Sequence, residues 1–139
     1  MTWLAWSLLS AVFAAMTAIL AKRGVSTTDP NLATAVRTSV VVVFVWLIAM
    51  TRSRVSALAV LPAQAWLWLG LSGLATGLSW LCYFHALRAG PASRVAPVDK
   101  LSVAMVILFG ALFLGERLTP AKGVGGALIV AGAILIALE

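Results

Sequence analysis

A charge-free stretch near the start of the chain decides the class of fold. It reads WLAWSLLSAVFAAMTAILA over residues 3–21, and Lys22 and Arg23 follow it directly. The hydrocarbon core of a bilayer is about 30 Å thick and a helix rises about 1.5 Å per residue, so about 20 apolar residues cross it. The stretch predicts a first transmembrane helix and not a signal peptide, because no positive leader or small-residue cleavage site accompanies it.

The rest of the sequence has the same character. Of the 139 residues, 63% are hydrophobic and 10% are charged, and the mean hydropathy is +1.08. Soluble domains carry about 25% charged residues, so a water-soluble enzyme is excluded. Four further apolar runs predict helices over residues 30–51, 62–88, 91–116 and 120–138. Because the runs are continuous and not alternating, we predict an all-α membrane protein with one domain, a five-transmembrane-helix bundle, and no β-barrel.

The prolines support these helix boundaries independently. Four of them open a predicted helix, where the missing N–H costs nothing: Pro30, Pro62, Pro91 and Pro120. Asp29 and Thr119 stand before two of them and are good N-cap residues. Pro97 is different, because it lies inside the fourth predicted helix and removes the hydrogen bond to the Ser93 carbonyl. We expect a kink there.

The charged residues exclude some functions and leave the orientation open. The net charge is +6, but the basic residues lie mostly at helix ends, so no nucleic-acid partner is expected. Counted over the predicted loops, the Met1 side holds Arg52, Arg54, Arg117 and Lys122, and the opposite side holds Lys22, Arg23, Arg88 and Arg94. This balance predicts insertion in both orientations and pairing of oppositely inserted copies as an antiparallel homodimer. The alternative is that a partner or the insertion process fixes one orientation.

Other chemistry finds no support in the residue pattern. The single cysteine, Cys82, has no partner for an internal disulfide. The sequence contains no metal-ligand cluster, P-loop, nucleotide fingerprint or Ser/His/Asp set at a plausible spacing. We therefore expect no enzyme activity, no metal and no cofactor.

Arg37 is the clearest candidate for a binding residue. It lies about 10 Å inside the second predicted helix, and an ionisable side chain at membrane depth costs about 2.5–3.5 kcal/mol or more. One interpretation is that its long stem extends to the lipid headgroups. The other is that it faces an internal cavity and binds an anionic group of the substrate or a carboxylate of the protein.

The other ionisable residues lie near helix ends. Asp99 and Lys100 are neighbours in the third turn of the fourth predicted helix, so they point in different directions and are not expected to pair. Either both lie in the hydrated membrane interface, or one of them faces a cavity. His85 could line the same cavity, or it could form an ordinary hydrogen bond at the interface. Glu116 ends the fourth predicted helix, where the dipole disfavours a carboxylate, so it needs a cation. It is expected to form a structural ion pair or gate at the hairpin, with Arg117, Lys122 or a group on another helix available, and the alternative is a coupling-ion site.

Aromatic and small residues recur at helical spacing. Trp80, Tyr83 and Phe84 share one face of the third predicted helix, either as packing or as the wall of a substrate cavity. The small residues expected to allow close helix contact are Gly73 and Gly77 on the third predicted helix, and Gly123 and Ala127 on the fifth.

Two segments of the last fifty residues resemble a known family. The segments GPASRVAPVDKLSV at 90–103 and FLGERLT at 113–119 are similar to an EamA-type domain of the drug/metabolite transporter superfamily, as are Arg37 and the Gly-rich fifth helix. Larger members of this superfamily carry two five-helix halves in inverted orientation around a central cavity, and this chain resembles one half. The short small-multidrug-resistance relatives are antiparallel dimers that use a first-helix glutamate, whereas residues 3–21 contain no carboxylate.

The resemblance, together with the charge balance, implies a half of an inverted-repeat transporter. We expect a transporter of small metabolites or amino acids in the cell (inner) membrane, working as an inverted homodimer by alternating access. The first, third and fourth helices would line the cavity, with Trp80 and Tyr83 as its wall. Arg37 or Asp99 would meet the charge of the small-molecule substrate, and Pro97 would loosen the fourth helix.

Two alternatives remain open. A lipid-headgroup translocator is favoured by the cations on one side: Arg37, Arg88, Arg94 and Lys100. The second alternative is a non-transporting subunit that needs a paralogous partner.

Overall fold

The described helices cover nearly the whole chain. A computed structural model describes residues 2–52 and 55–139, so Arg54 lies outside the described residues. Within that part the structure is 87% helical and has no strand. The α-helices are α1 (Trp3–Val25), α2 (Pro30–Arg52), α3 (Ala63–Ala89), α4 (Ala92–Asp99), α5 (Leu101–Phe113) and α6 (Pro120–Leu138), and Val55–Val60 forms a 3₁₀ helix.

Five segments of these helices are long and apolar enough to cross a membrane. They are Trp3–Val25, Pro30–Thr51, Ala63–Ala89, Ala92–Phe113 and Pro120–Leu138, so α4 and α5 together make one span. Most of their apolar side chains are exposed, as lipid-facing side chains are. The predicted all-α membrane fold is confirmed.

Polar side chains cap two of the helices where the prolines begin them. Oδ1 of Asp29 accepts hydrogen bonds from the backbone N–H groups of Asn31 and Leu32, at 3.0 and 3.1 Å. Oγ1 of Thr119 accepts from the N–H of Lys122 at 3.3 Å. Each cap satisfies N–H groups that have no partner inside their own helix, which fixes the start of α2 and of α6.

The fourth span is divided, which the sequence did not predict in this form. Pro97 lies inside α4, but the interruption falls three residues later, at Lys100. The Lys100 N–H is shared between the carbonyls of Ala96 and Pro97, and the Val103 N–H donates to the Lys100 carbonyl at 2.9 Å. Because proline removes one bond and crowds the preceding turn, the chain tightens into a 3₁₀-like turn just after it and then continues as α5.

The fourth span also ends earlier than residue 116. Gly115 has φ +68°, a conformation that glycine adopts at little cost, and this turns the chain out of the helix after Phe113. The carbonyl of Gly110 accepts from the N–H groups of both Leu114 and Glu116, each at 3.1 Å. Glu116 therefore follows the helix end and does not lie in its last turn.

The chain divides into two compact units, and each is described by itself. The first unit, Met1–Lys22 with Ala89–Glu139, contains α4 and α5 packed against α6. Gly126 is buried there, and a Cβ on it would lie 3.4 Å from the Cδ1 of Ile107, so α5 and α6 approach closely at this point. In the same unit, Nζ of Lys22 donates to the Gly90 carbonyl at 2.8 Å.

The second unit, Arg23–Arg88, is an antiparallel pair of helices, α2 and α3. Nη1 of Arg88 donates to the carbonyls of Val25 and Thr28 at 2.7 and 2.9 Å. Further along α2, Oδ1 of Asn31 and Nε2 of His85 lie 3.2 Å apart in a hydrogen bond. The buried residues described in this unit are Val25, Pro30, Thr34, Phe84 and Leu87.

Candidate functional site

A stacked arginine is the central feature of the second unit. The guanidinium carbon of Arg37 lies 4.0 Å from the centroid of the Trp80 ring and 5.6 Å from that of Phe84. Both distances are within the range in which the negative face of an aromatic ring attracts a cation. Phe84 is 2% exposed, while Arg37 and Trp80 are half-buried. The arginine at membrane depth and the aromatic face of the third helix, which were singled out separately in the sequence, thus form one cluster.

The antiparallel register of α2 and α3 brings these side chains together. Thr28 contacts Arg88, and Asn31 contacts His85. Arg37 lies about two turns further along α2 than Asn31, so in an antiparallel pair its partner lies about two turns before His85 on α3. Trp80 stands at that place, five residues before His85. The hydrogen bonds at the end of the helix pair therefore set the depth at which arginine and tryptophan meet.

The guanidinium of Arg37 does not extend to the nearer helix end. Trp80 lies about 13 Å by helix rise from the end of α3 at Ala89, and its side chain tilts further towards the N-terminus of α3. The α-carbon of Arg37 lies about 10 Å inside α2. The guanidinium of Arg37 thus lies at the level of the Trp80 ring along the helix pair.

Arg37 has no carboxylate partner within residues 2–52 and 55–139. The ion pairs in this part are Lys100 with Asp99 and Lys122 with Glu116. Asp29, the one acidic residue between positions 23 and 88, is engaged in capping α2. Within the described residues no carboxylate of its own helix pair balances the charge of Arg37, which lies against the Trp80 ring.

His85 takes the more ordinary of its two predicted roles. It is exposed and bonds to Asn31 across the α2–α3 pair. Asn31 itself was missed by the sequence analysis, because a single asparagine in the first turn of a helix carries no distinctive pattern. Tyr83 is half-buried on the same helix, one turn after Trp80.

Asp99 and Lys100 form an ion pair, so the expectation that they would not pair is wrong. Nζ of Lys100 lies 3.4 Å from Oδ2 of Asp99, and both side chains are more than a third exposed. That expectation assumed a continuous helix. Since the helix is interrupted at Lys100, its side chain is free to turn back towards its neighbour.

Glu116 has the cationic partner that the sequence required. Its Oε2 lies 3.1 Å from Nζ of Lys122, which stands in the first turn of α6. The carboxylate also lies over Gly110, where an added Cβ would meet Cδ of Glu116 at 3.4 Å. The Gly110 carbonyl thus accepts a hydrogen bond from the Glu116 N–H, and the absence of a side chain on Gly110 leaves room for the Glu116 carboxylate.

The small residues divide into a packed set and an open set. An added Cβ on Gly73, Gly77 or Gly123 would meet nothing within 4 Å. Gly123 and Ala127 line a shallow apolar groove beside α5, together with the buried Gly126. The sequence analysis overlooked Gly126, which is one residue away from the predicted small-residue ridge. No group of three or more potential metal ligands occurs among the described residues.

Five apolar helices with polar groups between them define a multi-pass, all-helical membrane protein. The EamA-like transporter family matches residues 1–138, so the chain belongs to that family. A similar protein, named "Uncharacterized transporter in cobO 3'region", comes from Sinorhizobium sp. and is 49% identical over 137 residues, which cover 99% of this chain and 97% of that protein. No solved structure matches the chain.

Proposed function

We propose that this protein transports small metabolites or amino acids across the cell (inner) membrane by alternating access, as an inverted homodimer. The observation that carries the proposal is Arg37, which lies on the Trp80 ring inside a membrane-spanning helix and has no carboxylate partner within residues 2–52 and 55–139. An unpaired charge at this depth is costly, and intramembrane charges of this kind mark substrate pathways. The family and the transporter-named relative support the same general function.

The dimeric arrangement is supported by two further observations. The named relative is hardly longer than this five-helix chain, since the alignment covers 97% of it. Transporters with sites at the bilayer midplane commonly consist of two inverted repeats, and two oppositely inserted chains supply these. The open surface above Gly73 and Gly77, near the middle of α3, would let a second copy approach closely.

Within this proposal the remaining site residues have mechanical roles. Trp80 and Tyr83 form a wall of the substrate site beside Arg37. The interruption after Pro97 lets one half of the α4–α5 span move relative to the other. The Glu116–Lys122 pair holds the turn into α6, and His85 steadies the end of the α2–α3 pair.

The lipid-headgroup alternative receives less support from the contacts. Arg88 donates to two backbone carbonyls and Lys100 is paired with Asp99, so these cations have partners within the protein. A headgroup path needs a row of available cations. Uptake assays with an anionic lipid in place of soluble metabolites would separate the two functions.

Reporter fusions at each terminus test the inverted homodimer. We expect each terminus to report both sides of the membrane in similar amounts. A terminus that reports one side only excludes a homodimer of oppositely inserted copies and points to an oppositely oriented partner.

Cysteine cross-linking in a Cys82→Ser background sharpens this test. Gly77 lies near the middle of α3, where an added Cβ meets nothing within 4 Å, and the exposed Trp66 lies near the start of the helix. In an inverted dimer through this face, Gly77→Cys cross-links to its own copy and Trp66→Cys does not. A parallel dimer through the same face would cross-link at both positions, and that result would contradict the proposal.

A further inference from the structure

We infer that the transported substrate carries a single carboxylate group, which binds the in-plane N–H groups of Arg37 while Trp80 supports the guanidinium from one face. This inference rests on the proposed function and narrows its substrate class.

The geometry leaves the hydrogen-bonding edge of the guanidinium available. The guanidinium carbon of Arg37 lies over the face of the Trp80 ring, 4.0 Å from the ring centroid, and this attraction to the ring gives none of the five N–H donors an oxygen acceptor. In the described ranges no side chain or carbonyl accepts a hydrogen bond from Arg37. A planar fork with an aromatic ring behind it is the arrangement that binds a carboxylate in bidentate fashion.

The charge count decides the sign of the ligand. Helices α1, α2 and α3 contain no aspartate or glutamate, and Asp29 between α1 and α2 is occupied by the N–H groups of Asn31 and Leu32. The negative charge that balances Arg37 on this helix pair must come with the ligand. A cationic substrate would meet repulsion, because a like charge at close range in a low dielectric is unfavourable.

The charge count also favours a monoanion over a phosphate dianion. A second cation would be needed to balance the second charge. Arg88, on the same helix pair, lies eight residues from Trp80, about 12 Å by helix rise, and its Nη1 donates to two carbonyls. One carboxylate with Arg37 makes a neutral pair, which is the least costly state of the site inside the membrane.

A matched series of three small molecules tests the inference by binding. N-acetylleucine, N-acetylleucinamide and leucinamide share one side chain and differ in charge, being anionic, neutral and cationic at pH 7. The reporter is the fluorescence of Trp80 in a variant whose other five tryptophans, all exposed, are replaced by phenylalanine: Trp3, Trp6, Trp46, Trp66 and Trp68. The N-acetyl acids of alanine and phenylalanine extend the series in size, and inorganic phosphate is the dianion.

We expect a saturable change of Trp80 emission with the acids, at concentrations about tenfold or more below those of the amide and the amine. Arg37→Gln should remove the preference for acid over amide, and Arg37→Lys should keep part of it. If Arg37→Gln fails to fold, the ligand series on the unsubstituted site and Arg37→Lys still decide the matter. An equal response to acid and amide, tighter binding of the amine or of phosphate, or no response to any acid overturns the inference.

Uptake of the same labelled compounds into proteoliposomes separates this inference from the proposed function. Uptake of the neutral or cationic compound that is insensitive to Arg37→Gln leaves a transporter but overturns the carboxylate. Binding of the acids without uptake of any compound supports the anion site and contradicts transport by the chain alone. Uptake of an acid that is lost in Arg37→Gln supports both.

Discussion

The two units of this chain use their charged residues in opposite ways. In the unit that contains α4, α5 and α6, Lys122 is paired with Glu116 and Lys100 with Asp99. In the α2–α3 unit, Arg37 lies on an aromatic ring and Arg88 on backbone carbonyls, without a carboxylate. Lys100 and Lys122 of the first unit thus have carboxylate partners, whereas Arg37 of the second has a positive charge that a ligand can balance.

The two units also differ in how their helices pack. In the first unit the backbones of α5 and α6 approach at Gly126, so the contact is made by small residues. In the second unit α2 and α3 are joined by long polar and aromatic side chains, from Arg88 at one end to Arg37 and Trp80 further in. The first unit is thus joined by a close approach of helix backbones, and the second by contacts between side chains.

The largest expected effect on ligand binding is that of a substitution at Trp80. Trp80→Ala removes the ring that holds the Arg37 guanidinium, and we expect about tenfold weaker binding of N-acetylleucine, equivalent to about 1.4 kcal/mol. Since Trp80 no longer reports in this variant, binding is measured by isothermal titration calorimetry.

Trp68→Ala is the matched control, because Trp68 is an exposed tryptophan on the same helix. It should leave both binding and membrane insertion unchanged. Loss of the folded protein in Trp80→Ala, with Trp68→Ala intact, would show that Trp80 is a packing residue.

The packing side of the comparison is tested at Gly126. Gly126→Val places branched carbons against Ile107, and overpacking of this kind costs about 1–3 kcal/mol. We expect a lower thermal unfolding temperature in detergent. Gly125→Val is the control on the same helix, since an added Cβ there meets nothing within 4 Å. Equal unfolding temperatures for the two variants would show that α5 and α6 are not held together at Gly126.

A smaller effect is expected at the turn into α6. Gly115 has φ +68°, so Gly115→Ala forces a side chain into the left-handed region at a cost of about 1 kcal/mol. The measurement is again thermal unfolding, with Gly132→Ala as the control inside α6. Gly115→Asn should recover part of the loss, because asparagine tolerates this conformation. A stabilised Gly115→Ala variant would contradict the described turn.

The smallest effect is expected for the Glu116–Lys122 pair. Both side chains are about half exposed, and exposed pairs contribute about 0–1 kcal/mol. A double-mutant cycle with Glu116→Gln and Lys122→Gln measures the coupling by thermal unfolding. A coupling well above that range would mean that the pair is buried in the working protein, as a gate between copies would be.

Hydropathy and capping residues were enough to predict most of the fold. The five apolar runs, the caps Asp29 and Thr119 and the irregularity near Pro97 all follow from local physical rules. The positions at which the helix is interrupted after Pro97 and ends before Gly115 could not be predicted, because they depend on how several backbone hydrogen bonds rearrange together. This is why the interruption falls at Lys100 and why Glu116 lies beyond the helix.

The candidate site was predictable as a set of residues but not as an arrangement. An arginine at membrane depth and an aromatic face on the third helix are visible in the sequence. Their contact depends on the register of α2 against α3, which is set by Asn31 with His85 and by Arg88 with two carbonyls. Such long-range pairs leave no periodic signal in a single sequence.

The bonds of Arg88 have a consequence for the biogenesis of the protein. The residues that they join are 63 and 60 positions apart, so the turn between α1 and α2 is fastened by a side chain at the far end of α3. When the ribosome has released only α1 and α2, Arg88 has not yet been synthesised and these hydrogen bonds cannot form. The hydrogen bonds that hold the turn between α1 and α2 therefore form only after α3 has been synthesised.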